Sequence, residues 1–500
     1  MHHPTRARYL RTAIALVAVA APLALPRMAW AQHPSLPDSL AARMDTATHR
    51  IDLTLPAGRI IRRLVSRADS TQQYALYLPT TFTRDRQWPI LFLLDPRGRA
   101  LIPMARFQPV AERLGYIAIS SYNTLSDGPA EPNYSAMNAM LADVQRSLPV
   151  NSRRLYLVGF SGTARFAWEM NAQLVGSIAG IVGAGAAVPG GRSWIRSHIG
   201  KSSPALFGTI GTFDPNYEEL RSFDAELDTI GALHHIERLD GAHQWPPTEL
   251  ATKSVEWLEL QGMRRGLVPR NQTWIDSLFQ QWLAPAARVD SAGDAPVAVR
   301  SYRLLLADFD GLTDVSGVAT RLATLEKDPR VKRMAATEAN IAQRDWQLGA
   351  AMIAFASDLK QSASPPSIDQ ARKRLDLDAL RRDASRSDSV TSIAARRVLE
   401  RIFTHMSFYA PREFFNSKRY AHAAYALQIA RLIKPDDGGA CLSHARALAQ
   451  LGNKADALSA LECAAASGQV PAPAVERDPL LERLRSDPRY EAAVRRLKGA

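Results

Sequence analysis

The sequence predicts an α/β fold, with a mostly parallel sheet of about eight strands and helices on both faces, followed by an all-helical region. From about residue 50 to 262, short apolar runs alternate with amphipathic stretches, which is typical of a parallel sheet covered on both faces. After about residue 265 the strand pattern ends, and Ala, Leu and Arg follow helical periodicity. With 500 residues, 46% of them hydrophobic, the chain can bury a large core in more than one domain.

The predicted strands and helices alternate along this first half of the chain. The first two strands have no helix between them, so we expect them to pair antiparallel, whereas intervening helices make the later strands parallel. The strands are predicted at 60–66, 73–79, 89–95, 116–121, 154–160, 178–186, 205–211 and 234–240. The helices are predicted at 104–114, 134–148, 163–174, 217–231 and 247–262.

The helical half contains one internal repeat. Four positions recur with a spacing of 34: Ala423, Leu427, Ala430 and Pro435 are followed by Ala457, Leu461, Ala464 and, less closely, Gln469. Small residues at these places let paired helices pack closely, and this pattern resembles the tetratricopeptide repeat. Two generic Ala-rich helical hairpins are the alternative. We predict an α/β domain at 55–265, a helical region at 266–400, and repeats with a terminal cap at 401–500.

The N-terminus has the pattern of a secretory signal peptide. Arg6, Arg8 and Arg11 precede an apolar run at 12–25, and Ala29-Trp30-Ala31 fits a cleavage site. The alternative is a membrane anchor, but a run of 14 residues is shorter than the ~20 needed to span a bilayer. We therefore predict a signal peptide at 1–31, a lead-in segment at 32–54, and export to a periplasm or the exterior, with no stable membrane span after cleavage.

Charge and cysteine content fit an exported protein. The net charge is 62 − 49 = +13, and removing the four Arg of residues 1–31 leaves +9. No run of Lys and Arg is dense enough to predict a nucleic-acid partner. Two cysteines occur, Cys441 and Cys463. In the repeat phase they can face each other, so we predict a disulfide; two small buried thiols are the alternative.

One strand end carries a candidate nucleophile. Residues 157–166 read LVGFSGTARF, which places Ser161 between a buried strand and a helix, as in the G-x-S-x-G nucleophile elbow. Gly159 supplies the small neighbour that this sharp turn needs. Thr163 stands where the motif has its last glycine. The N–H of Gly162 is a candidate donor to the oxyanion.

A base and an acid follow in the order that this type of site requires, serine, then acid, then histidine. Asp214 comes after the strand at 205–211, and His243 comes after the next strand. The carboxyl ends of parallel strands share one edge of the sheet, where active sites of such folds lie. Asp214 could instead cap the following helix; Asp240 and His198 are the rival acid and base.

The remaining site predictions concern the oxyanion and the substrate. A second oxyanion donor is expected from the loop after the strand at 89–95, from the backbone N–H of Arg97 or Gly98. Candidate substrate contacts are Asn123, Trp245 and Tyr217.

Five stretches together resemble the α/β-hydrolase superfamily: YALYLPTTF, the DPRG loop, LVGFSGTAR, GTFDPNY and DGAHQWPPTE. Within it they are similar to secreted esterases of the polyhydroxybutyrate-depolymerase and feruloyl-esterase type. The resemblance covers about 55–262. It implies Ser161 as nucleophile, Asp214 as acid, His243 as base, and no cofactor. The short segment between 186 and 205 leaves little room for a lid and predicts an open cleft.

We find no convincing metal site in the sequence. The acids of DFDGLTD at 308–314 lack the spacing of a calcium loop. We therefore predict an exported serine hydrolase that cleaves small or oligomeric carboxylic esters through an acyl-enzyme. A serine peptidase with the same triad, and a non-catalytic scaffold whose helical repeats bind a protein partner, are the alternatives.

Overall fold

The computed structural model describes residues 55–174, 176–188, 190–200, 203–386 and 390–499. The predicted signal peptide and the lead-in segment lie outside these residues. Within the described ranges, no helix is both long enough and apolar enough to cross a membrane.

Eight strands form one sheet in the order β1-β2-β4-β3-β5-β6-β7-β8. β2 pairs antiparallel with β1 and β4, and the remaining pairs are parallel. The strands are β1 Ile60–Val65, β2 Gln73–Tyr77, β3 Trp88–Leu94, β4 Ile117–Ser121, β5 Val150–Phe160, β6 Ile178–Ala184, β7 Ala205–Gly211 and β8 His234–Leu239. The predicted fold class is confirmed, and this strand order with its crossover helices is the α/β-hydrolase fold.

Helices cover both faces of the sheet, because the central strands β3, β6 and β7 are buried along their whole length. The helices of this part are α1 Leu101–Leu114, α2 Glu131–Ser147, α3 Gly162–Gln173, α4 Gly191–His198, α5 Tyr217–Ile230 and α6 Thr248–Arg264. α1 and α6 pack on one face, and α2, α3 and α5 pack on the other. The sequence pattern did not predict α4, an eight-residue helix with a single buried residue, Ile195.

Beyond α6 the described chain is helical. Its elements are α7 Gln272–Ser291, α8 Ala295–Phe309, α9 Ser316–Leu325, α10 Pro329–Gln361, α11 Ile368–Arg374, α12 Leu377–Ala384, α13 Val390–Thr404, a π-helical turn His405–Tyr409, α14 Ala410–Asn416, α15 Tyr420–Ile433, α16 Gly438–Gln450, α17 Lys454–Ala466, α18 Pro473–Glu476, a 3₁₀ turn Pro479–Leu484 and α19 Pro488–Gly499.

Two apolar cores divide these helices at a different place from the predicted boundaries. The core on the α1/α6 face of the sheet continues through α7, α8 and α9 as far as Val331. A second core begins at Met352 and ends at Leu497. Val331, at the end of the first core, and Met352, at the start of the second core, both belong to α10, which therefore joins the two cores. The helices directly after residue 265 pack as part of the α/β body, since their apolar faces complete its core.

The repeat-like segment forms successive packed helices, α15, α16 and α17. Ala423, Ala445 and Ala457 are fully buried in them, as the small-residue spacing predicts. A disulfide joins Cys441 in α16 to Cys463 in α17. After α17 the regular pattern gives way to the single turn of α18 and the 3₁₀ turn. The assignment to the tetratricopeptide repeat therefore stays a prediction.

Candidate active site

Ser161 lies at a strained turn between β5 and α3. Its backbone has φ 54° and ψ −124°, a conformation that costs a non-glycine residue energy and that concentrates at functional sites. Gly159 permits the turn, because a Cβ there would lie 2.3 Å from the carbonyl oxygen of Thr163. The strand therefore ends in a nucleophile-elbow geometry, which presents the Ser161 side chain at the carboxyl edge of the sheet.

Thr163 stabilises this turn. Its side chain is fully buried. Its Oγ1 lies 2.5 Å from the carbonyl oxygen of Leu94 at the end of β3, and it accepts the N–H of Phe160 at 3.1 Å. The hydroxyl therefore ties the end of β5 to its neighbouring strand, a bond that glycine at this position could not make.

Ser161, His243 and Asp214 form one hydrogen-bonded chain. His243 Nε2 lies 2.9 Å from Ser161 Oγ, and His243 Nδ1 lies 2.8 Å from Asp214 Oδ2. Asp214 is 1% exposed, and its other oxygen accepts the N–H of Asn216 at 2.8 Å. The same carboxylate thus orients the imidazole and holds the turn at 214–216. The N-cap of α5 is Asn216, without a side-chain cap, so the alternative prediction that Asp214 caps this helix is wrong.

The imidazole of His243 is packed between two groups. Its ring centroid lies 4.6 Å from that of Phe160. On another side is Gly185, where an added Cβ would lie 3.0 Å from His243 Cε1. These contacts restrict the ring to the orientation in which its two nitrogens meet Ser161 and Asp214.

The candidate oxyanion donors differ in their availability. Gly162 is the first residue of α3, so its N–H has no partner within the helix. The N–H of Arg97 instead donates to Asp95 Oδ1 at 2.9 Å, and that of Gly98 to the Asp95 carbonyl at 3.1 Å. Both predicted donors of this loop are engaged in its internal turn, which leaves the N–H of Gly162 as the candidate oxyanion donor.

Asp95 organises the loop after β3. It is fully buried and accepts hydrogen bonds from the Arg99 guanidinium and from the indole N–H of Trp245 at 2.9 Å. Burial disfavours its charge, but these bonds and those from the loop backbone outweigh burial and hold the pKa of Asp95 below its usual value. Sequence reasoning missed this pairing, because Trp245 is 150 residues away along the chain.

The three predicted substrate contacts have other surroundings in the structure. Trp245 is 5% exposed and holds Asp95. Asn123 joins two backbone groups, the N–H of Gln73 at the start of β2 and the carbonyl of Thr71 before it. Tyr217 is 6% exposed beneath the guanidinium of Arg397, which lies 3.5 Å from its ring centroid. Trp245 and Tyr217 are thus nearly buried by other parts of the chain, and Asn123 is half-buried. Contact of these three residues with a substrate stays a prediction.

Sequence reasoning missed Ser126, which lies against the turn of the nucleophile. A Cβ on Gly162 would come within 2.2 Å of Ser126 Cβ. The Ser126 hydroxyl donates to Asp127 Oδ2 at 2.5 Å. This loop after β4 therefore lies beside Ser161 at the carboxyl edge of the sheet.

Comparisons with known proteins find only distant similarities, all of them to solved structures. No protein-family model matches the chain, and no curated protein matches it. Similar solved structures include S-formylglutathione hydrolase from Staphylococcus aureus, at 12% identity over 41% of this chain and 99% of that chain, with a TM-score of 0.32.

A ferulic acid esterase is similar at 14% identity over 40% of this chain and 97% of that chain, with a TM-score of 0.33. Thermogutta terrifontis esterase 2, phosphoramylated by tabun, is similar at 15% identity over 44% of this chain and 100% of its own, also with a TM-score of 0.33. Likenesses at these levels do not identify a reaction. The fold assignment rests on strand order and connections.

Proposed function

We propose that this chain is a serine hydrolase that cleaves carboxylic esters through an acyl-enzyme. The observation that carries the proposal is the hydrogen-bonded chain Ser161–His243–Asp214 at the carboxyl ends of three strands. The strained backbone of Ser161 supports it, because strain of this kind is retained where the surrounding structure holds a reactive group in place.

In the proposed mechanism each group has its own step. Ser161 Oγ attacks the ester carbonyl carbon while His243 Nε2 accepts its proton, and Asp214 stabilises the imidazolium that forms. The carbonyl oxygen becomes an oxyanion, for which the Gly162 N–H is the candidate donor. The C–O bond then breaks, and the alcohol leaves with the proton from His243.

Water completes the cycle. It attacks the acyl-enzyme carbonyl, gives a proton to His243, and forms a second tetrahedral intermediate. This intermediate releases the carboxylic acid as Ser161 Oγ takes the proton back. Apart from the ester and water, both halves of this mechanism use only groups of the chain.

We further propose that the protein acts after export. The N-terminal pattern supports this, and so does the Cys441–Cys463 disulfide, since such bonds persist in oxidising compartments. The N-terminal residue of the protein recovered from the cell envelope or medium tests this proposal: Gln32 is expected, and an intact Met1 would contradict it.

A substrate panel tests the reaction. We expect turnover of p-nitrophenyl acetate and butyrate that Ser161→Ala abolishes and that Ser193→Ala, at an exposed serine of α4, leaves unchanged. Hydrolysis of peptide anilides without ester turnover would favour the peptidase. No Ser161-dependent turnover of either class by a folded sample would favour the non-catalytic scaffold.

A further inference from the structure

A segment of the C-terminal helices, comprising α13, the π-helical turn and α14, contacts the loop that carries the catalytic acid. Arg397 donates from Nε to the carbonyl of Thr212 at 2.8 Å and from Nη1 to Glu218 at 2.9 Å. Arg401 donates to the carbonyl of Pro215 at 3.2 Å. These contacts enclose Asp214 from both sides in sequence, so this segment is anchored to one rim of the candidate active site.

The same segment contacts the opposite rim. The phenol of Tyr409 donates to Asp127 Oδ1 at 3.2 Å. The guanidinium of Arg97 lies 5.2 Å from the ring centroid of Phe408. Asp127 belongs to the loop after β4, and Arg97 to the loop after β3. The segment therefore bridges loops that lie far apart along the chain.

Strand order shows what lies beneath this bridge. β4 and β3 are on one side of β5 in the sheet, and β7, whose loop carries Asp214, is on the other side. A segment that reaches from the loops after β3 and β4 to the loop after β7 must cross the carboxyl end of β5. Ser161 directly follows β5, so the helical segment passes over the nucleophile.

Tyr409 is placed near the centre of this crossing. Its partner Asp127 is bonded to Ser126, which touches Gly162. Its phenol also interacts electrostatically with Arg165, one turn into the helix of the nucleophile, and burial together with Asp127 raises its pKa to about 12. The residue nevertheless keeps 43% of its surface exposed. A partly fixed aromatic ring therefore offers free surface beside the cleft.

The backbone supports a functional use of this position. Phe408 and Tyr409 lie in the only π-helical turn among the described residues, between α13 and α14. Such turns are rare within α-helices and occur frequently at functional sites. Here the π turn places two consecutive aromatic residues at the crossing.

We propose that the segment α13–π turn–α14 is the roof of the substrate cleft, and that Tyr409 and Phe408 determine specificity by contacting bulky apolar groups of the ester. This proposal rests on the proposed function. It replaces the sequence-based expectation of an open cleft, since the roof is supplied by the C-terminal helices and not by the short segment between β6 and β7.

Selectivity between a short and a long ester tests the roof. In Tyr409→Ala we expect kcat/KM for p-nitrophenyl octanoate to fall about tenfold through KM, while that for p-nitrophenyl acetate changes by less than twofold. Trp346→Ala, which truncates an exposed aromatic residue of α10, is the matched control and should leave both values unchanged. Tyr409→Phe keeps the ring and should keep the selectivity.

Labelling of Ser161 by a small fluorophosphonate reports separately on the triad. Tyr409→Ala should be labelled at the parent rate, which shows that the fold and the triad are intact. A selectivity ratio within twofold of the parent, or a kcat/KM for octanoate that rises, would overturn the roof proposal. Absence of Ser161-dependent turnover in the parent protein would instead overturn the proposed function.

Discussion

At the scale of single residues, the neighbours of Ser161 determine whether a strained turn can persist. Gly159 removes a clash with the backbone of Thr163, and Thr163 adds hydrogen bonds to β3 and β5. The departure from the G-x-S-x-G pattern is thus compensated locally, since the hydroxyl of Thr163 braces the turn that a glycine would merely permit.

This role of Thr163 predicts a loss of stability without a loss of the reaction. Thr163→Val keeps the shape but removes the hydroxyl, leaving two backbone groups without this partner, so unfolding should become easier by about 1–3 kcal/mol. Urea unfolding measures this change in the free energy of unfolding, with Thr320→Val on the exposed face of α9 as the control. An unfolding free energy equal to that of the parent would show that these bonds contribute nothing.

Substitutions of two carboxylates, Asp214 and Asp240, test which of them is the acid of the triad. Asp214→Asn keeps the size of the side chain but changes the imidazole tautomer, so kcat should fall by about 10⁴-fold. Asp240→Asn, three residues before His243, should leave kcat within about twofold because Asp214 is the carboxylate bonded to Nδ1. Steady-state ester hydrolysis distinguishes them, and the reverse ranking would make Asp240 the acid.

At the scale of elements, the sequence predicts the strands and the residues that follow them, because these features depend on local pattern. The local sequence pattern identifies all eight strands, and the rule that parallel strands share an edge brings Ser161, Asp214 and His243 together. Side-chain contacts between elements that are far apart in the chain produce no pattern in the local sequence. Asp95 with Trp245, and Asp127 with Tyr409, depend on how loops 150 and 282 residues apart meet after folding, so they could not be predicted.

A buried ionic cluster between β8, α6 and α8 is another such pairing. His235 Nδ1 lies 2.8 Å from Asp308 of α8, and its Nε2 lies 3.0 Å from Glu237, which also pairs with Lys253 of α6. Burial disfavours the charged imidazole, but the two carboxylates outweigh it and raise the pKa of His235 to about 9. His235 and Lys253 lower the pKa of Glu237 to about 2 despite its burial.

This cluster predicts a pH dependence of stability. Because the folded pKa of His235 lies above the unfolded value of about 6.5, its contribution is complete below pH 6.5 and is lost as pH rises through 9. The contribution of Glu237, whose pKa is lowered, is lost as pH falls below about 4.5.

Unfolding free energy measured between pH 6 and 10 should therefore decline in the parent and decline less in His235→Asn. His198→Asn, at an exposed histidine, should retain the parent slope. Equal slopes in the parent and His235→Asn would show that His235 is uncharged in the folded protein.

At the scale of the whole molecule, the two apolar cores and the roof connect the helical half to the α/β body. The first core continues through α7, α8 and α9 to Val331, and Glu338 of α10 pairs with Arg238 of β8 at 2.7 Å. The second core supports the roof over the sheet edge. The helices through α9 and the start of α10 are therefore part of the α/β body, and the second core is joined to that body through α10 and through the polar contacts of the α13–π turn–α14 segment.

Truncation tests this continuity. A chain ending at 265 loses the buried Asp308 partner of His235 and Trp257 and exposes the α6 face of the core, so we expect it to be insoluble or unfolded. A chain ending at 340 retains α7, α8, α9 and Glu338 and should show native-like circular dichroism. Cooperative unfolding of the 265-residue chain at the same temperature as the longer one would contradict a continuous core.

Covalent labelling by a fluorophosphonate probe tests the central claim most directly, because the probe traps a nucleophilic serine without assuming a substrate. One adduct at Ser161 is expected by peptide mass spectrometry in the parent protein, none in Ser161→Ala, and a much slower reaction in His243→Ala. A folded parent protein that gains no adduct, or one modified equally in Ser161→Ala, would contradict the assignment of Ser161 as the nucleophile.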